Sequence, residues 1–113
     1  MKFLKFYYVG EAAKDLYGKF IRGLKKGKSD FECYVISIAP EPHEQLDIMH
    51  GEMFLSRYVP DREERLIVGL AAGKNDALNL IGKITEESVA AGFGGRIRDF
   101  LLDKAEREGM RML

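Results

Sequence analysis

Cysteine occurs once in this chain, so no internal disulfide can form. Cys33 lies inside the apolar stretch FECYVISIA, where a small buried hydrophobe is the expected role and a reactive thiol is not. Long apolar runs are also missing. The longest, LIVGLAAG, is far below the roughly 18 to 20 residues that a membrane-spanning helix needs. The start, MKFLKFYYVG, has Lys5 in its apolar run and no small-residue cleavage site after it, so a cytoplasmic location is expected and a signal peptide is not. There is no internal repeat, low-complexity tract or Pro/Gly/Ser-rich linker, and 113 residues suit one core, so residues 1–113 are expected to form a single domain. No serine or cysteine sits in a nucleophile elbow, which argues against triad hydrolysis. No pattern calls for a cofactor.

The chain does have 46% apolar and 32% charged residues, the balance of a self-supporting globular protein. Its net charge is zero but unevenly spread. Residues 1–28 carry eight lysines and arginines against Glu11 and Asp15, and the remainder is acidic to the same extent. Such a split suits either a polyanion-binding arm or two opposed surfaces that help chains associate.

Aromatic and branched residues in KFLKFYYV indicate a first strand, with Lys5 marking an edge position. From Glu11 to about Lys25, Ala12, Leu16 and Phe20 recur at helical spacing, and Gly27 ends the helix. FECYVISIA and LIVGLAA read as strands buried on both faces, the pattern of parallel units. Between them, PEPHEQLDIMHGEMF reads as a turn followed by one or two helical turns that end near Pro60. GKNDALNLIGKITEESVAAG is a helix with Asn75 or Asp76 as N-cap and Val89 on the apolar stripe, and RIRDFLLDKAERE is a last one. The expectation is an α/β sandwich of two or three layers, order β-α-β-α-β-α-α, around a mostly parallel three-stranded sheet. So thin a sheet leaves backbone groups to satisfy, which points to a homodimer.

Four groups of residues carry candidate chemistry. If Pro42 opens a helix, His43, Asp47 and His50 share one side and can reach a common metal ion, although the zincin spacing is absent. In GLAAGKND the amides after Gly73, with Lys74 and Asn75, form a turn that could receive a phosphate, but the P-loop spacing is not met. Arg96 and Arg98 of AGFGGRIR are candidates to grip an anion, and Arg96 could assist the Gly73 turn. Lys19, Arg22, Lys25 and Lys26 line a basic helix that could contact nucleic-acid phosphates, without any accompanying recognition signature. For each group a structural or solvated role is the plainer alternative.

At YVISIAPEPHEQLDIMH and again at LIVGLAAGKNDALNLIGKI, the chain resembles a family of small bacterial proteins of unknown function, over most of residues 31–102. The shared features are structural, and the resemblance implies a bacterial, cytoplasmic setting with no catalytic residues to transfer. The expected function is association, first with a second copy and then with another protein, and not catalysis. Anion or nucleotide-phosphate binding at the Gly73 turn is the alternative, and nucleic-acid binding the third.

Overall fold

The computed structural model describes residues 1–59 and 61–113. Its strands are β1 (Lys2–Val9), β2 (Cys33–Ile38), β3 (Leu46–His50), β4 (Leu66–Ala72) and β5 (Met110–Met112). Its helices are α1 (Tyr17–Lys25), α2 (Gly51–Leu55), α3 (Lys74–Ala90) and α4 (Ile97–Glu108), with a 3-10 turn over Glu11–Ala13. The strands form one sheet in the order β3-β2-β4-β1-β5. Among the described residues only β1 and β4 run parallel; β2–β3, β2–β4 and β1–β5 are antiparallel. The fold is α/β with a mixed, mostly antiparallel sheet.

This corrects the expectation of a three-stranded, mostly parallel sheet. Strands apolar on both faces were read as parallel, but they are apolar because helices cover both faces of the sheet, and an antiparallel strand in that position looks the same. On one face α3 and α4 pack Leu80, Ile84, Phe100 and Leu101 against Leu4, Ile36 and Val68. On the other, Phe20 and Leu24 of α1 and Phe54 of α2 pack against Phe3, Val35, Ile67 and Leu70. Three layers result.

Two strands escaped the sequence reading. LDIMH, expected to form helical turns, instead forms β3, paired with β2 from Tyr34↔His50 to Ile38↔Leu46. Five residues in a charged neighbourhood give too short an alternation to recognise. The expected helix end near Pro60 lies outside the described residues. MRM, which forms β5, is three exposed residues and carries no pattern at all. The first helix is also shorter than expected, because the chain makes a 3-10 turn before α1 starts at Tyr17. Val89, expected on an apolar stripe, is 59% exposed.

The parallel pair is pinned where both strands end. Asp76, in the first turn of α3, accepts from the Ala72 amide at 2.9 Å and from the Ala12 amide at 3.2 Å. Its carboxylate lies against Gly10, and a Cβ there would collide with it. Glycine is therefore required after β1 so that α3 can tie the two turns together.

Buried polar groups gather at the opposite end. Arg65, 6% exposed at its side chain, donates to Asp47 Oδ2 at 2.7 Å. Ser37 pairs across the β2–β3 ladder with Asp47, yet its hydroxyl is buried and has no hydrogen-bond partner among the described residues. Cys33 is buried as expected, and desolvation pushes its thiol up to about 12, so it stays protonated at neutral pH.

The two polar groups should respond in opposite directions. Asp47→Ala removes the carboxylate that faces the buried Arg65 guanidinium and is expected to cost about 1 to 3 kcal/mol in urea unfolding. Ser37→Ala removes an unsatisfied hydroxyl and should leave stability unchanged or raise it by about 1 kcal/mol. A loss from Ser37→Ala as large as that from Asp47→Ala would contradict this assignment.

Candidate functional site

Strand β1 is interior to the sheet for half its length and an edge for the other half. β5 pairs with it only through Lys2↔Met112, Phe3↔Arg111 and Leu4↔Met110. The Lys5 amide then donates to Gly109 O at 3.0 Å, and there the pairing stops. From Phe6 to Val9 no strand of the described residues lies on the outer side. The inner side is irregular too: register passes from Phe3↔Ile67 to Tyr8↔Gly69, so β1 uses Leu4 to Tyr7 where β4 uses Val68 alone. Such a bulge bends a strand and increases its local twist.

The bulge presents aromatic rings. Phe6 is 62% exposed. Lys5 Nζ sits 5.5 Å from the centre of its ring. On the α1 side, Phe3, Tyr7 and Tyr17 meet edge to face, with ring centres 5.3 and 6.3 Å apart. On the α4 side, Tyr8 donates its hydroxyl to Glu87 Oε1 at 2.7 Å, beneath the Lys104 ammonium. Burial, then the bond to Glu87, raises the Tyr8 phenol, and burial followed by Tyr17 raises that of Tyr7. Both rings stay neutral at any physiological pH. The open half of β1 thus offers unpaired backbone bordered by uncharged aromatic surface, the combination that accepts an added strand.

The residues singled out from the sequence are placed elsewhere, and none of the sets converges on one point. His43 is exposed in the loop after β2, while Asp47 and His50 stand three apart on β3. That spacing would nearly share a helix face but points to opposite faces of a strand. No group of three metal-ligating side chains occurs among the described residues. Both His50 nitrogens are engaged: Nε2 lies 2.6 Å from Phe31 O, and Nδ1 accepts from the Glu52 amide at 3.1 Å. The second bond fixes the tautomer, leaving Nε2–H as donor, and makes His50 the N-cap of α2. Tyr34 meets its ring edge to face at 5.4 Å.

Gly73, at φ 89°, makes the turn into α3, and Lys74 and Asn75 follow it exposed to solvent. The Gly73 amide is already bonded to Glu32 O at 2.8 Å. Arg96 lies beyond the far end of α3, a helix of roughly 25 Å at 1.5 Å per residue, so it cannot join the Gly73 turn. It instead pairs with Asp99 at 3.7 Å and covers the Phe93 ring. Lys19, Arg22, Lys25 and Lys26 are exposed along α1 and its C-cap, with Lys19 held 3.1 Å from Asp30.

Arg98 has a structural partner set that the sequence did not reveal. Its guanidinium donates to the carbonyls of Ala39 and Glu41, while its own amide is capped by Gln45 Oε1 at 2.9 Å. The start of α4 and the β2–β3 loop hold each other in place. Only the fold brings them together, across more than fifty residues.

Comparison with protein-family models, with curated proteins and with solved structures found no match. The geometry therefore carries the functional argument alone.

Replacing His50 with alanine is expected to lower stability by about 1 kcal/mol, the usual worth of an N-cap, when followed by thermal or urea unfolding. An unchanged midpoint would mean that its two hydrogen bonds do not hold α2.

Proposed function

We propose that this chain works by joining a second copy of itself along the open half of β1. The observation that supports this reading is the early end of β5, which leaves Phe6 to Val9 without an outer strand among the described residues, beside an exposed phenylalanine. A two-fold axis near Tyr7 would set the strands antiparallel, with Phe6 opposite Tyr8 and Lys5 opposite Val9. Aromatic rings would then meet across the seam, and no two lysines would face each other directly. The other free edge, β3, is a poorer partner. It carries Asp47 and is preceded by Glu41 and Glu44, charges of the kind that discourage strand addition.

Self-pairing of this sort gives a symmetric dimer whose sheet runs continuously through both subunits. The seam would bring the two copies of α1, with their exposed lysines and arginine, onto one side of the joined sheet. Association with a further protein is a natural extension, because a dimer presents every remaining surface twice.

Sedimentation velocity over a concentration series tests the reading. The wild-type chain should shift toward twice its 12.8 kDa mass as concentration rises. Phe6→Lys, a change at an exposed position, should weaken the association at least about tenfold, because it removes aromatic contact and adds a charge at the seam. A monomer at every concentration, or a dimer indifferent to Phe6→Lys, would defeat the proposal.

A further inference from the structure

A cavity of about 670 Å³ opens on the α4 side of the sheet, at the end away from the Gly10–Asp76 pin. Its size is that of a small-molecule site. The apolar lining comes from four separate parts of the chain: Ile38 at the end of β2, Leu66 at the start of β4, Leu102 and Ala105 on α4, and Met110 on β5. Charged groups of both signs stand around it, and their engagements decide which ligand fits.

The cations are committed. Arg65 is bound to Asp47 at 2.7 Å. Arg98 donates to the Ala39 and Glu41 carbonyls, and the Lys2 ammonium lies 4.0 Å from Glu64. The Arg65 and Arg98 bonds also hold parts of the fold, so an anionic ligand would have to compete with the structure for either arginine, while Lys2 has the exposed Glu64 carboxylate nearby. The carboxylates are in the opposite position. Asp61 and Glu106 line the same cavity, are exposed, and make no side-chain hydrogen bond or ion pair with the described residues. Arg98, Leu102 and Glu106 fall four apart on α4, which places the apolar wall directly between the committed arginine and the open carboxylate.

The geometry points to a binding site for a small amphipathic cation, an apolar body bearing an amine. The body occupies the space between Leu66, Leu102 and Met110, and the ammonium group lies toward Glu106 and Asp61. Such a ligand gains burial of apolar surface and ion pairing without breaking any contact already present. The site is at the opposite end of β1 from the open edge, so it does not depend on the self-association proposed above.

The test uses two probes of similar shape and opposite charge, 2-phenylethylamine and 3-phenylpropanoate, titrated separately into isotope-labelled protein while amide resonances are followed. The amine should shift the Leu66, Leu102 and Met110 amides saturably in the millimolar range, and the acid should bind at least about fivefold more weakly. The double variant D61N/E106Q changes two exposed side chains and should weaken the amine about two- to fivefold with an unchanged melting temperature. Leu102→Trp, also at an exposed position, fills the cavity and should abolish the shifts. Equal or tighter binding of the acid would overturn the proposal. So would amine binding that survives Leu102→Trp, or the absence of saturable shifts with either probe.

Discussion

Everything in this fold follows from burying β4 on both faces. Leu66 to Ala71 are all buried, and they divide between the two cores: Leu66, Val68 and Ala71 meet α3 and α4, whereas Ile67 and Leu70 meet α1 and α2. A strand this apolar cannot lie at an edge, so it must have a neighbour on each side and a helical layer on each face. β1 and β2 fill the first requirement, and the helices fill the second. The bulge at Val68 in its pairing with β2 lets the strand change which residues face which layer part-way along.

The two ends of the sheet then solve different problems. At the end carrying Gly10 and Gly73, the parallel strands stop together, and the Asp76 carboxylate ties their turns by accepting from the Ala72 and Ala12 amides. At the other end the antiparallel neighbours leave loops of uneven length, and charged side chains hold these in position. Arg65 reaches from the start of β4 to Asp47 on β3, and Arg98 reaches from α4 to the loop after β2. The buried Ser37 hydroxyl, without a hydrogen-bond partner among the described residues, belongs to this polar region. A cavity remains because the residues bridging α4 to the sheet hold its first turn against the loop after β2, while small Ala105 leaves space farther along.

What the sequence disclosed was whatever depended on local periodicity. LIVGLAA, the long helix after Gly73 and the last helix, RIRDFLLDKAERE, were legible because burial repeats regularly over many residues. Lys5 and its aromatic neighbours suggested an edge strand, but β5 lies outside β1 and the Lys5 amide is itself bonded to Gly109, so only the half of β1 beyond Lys5 lacks an outer strand among the described residues. β3 and β5 were not legible, because five and three residues carry too little pattern to compete with the charges around them. The proposed histidine site failed for a related reason: a helix and a strand place residues three apart on different sides, so misreading the element misplaces the ligands. The cavity was beyond any local reading. Its walls come from residues far apart in the chain, and its selectivity rests on which charges the fold has already paired.

The pairing of β1 with β4 also sets the order in which the molecule can form. Lys2 finds its partner at Leu66, so the first strand of the chain waits on the ribosome while roughly sixty more residues are made. At ordinary rates of synthesis that interval is about 3 to 13 seconds. Through it, KFLKFYYV is an exposed aromatic segment with no strand of its own to join. Closing so long a loop is slow compared with helix formation, so α1 is available before the sheet that it covers. The segment that remains partly unpaired in the finished protein is therefore also the one most in need of protection during its birth.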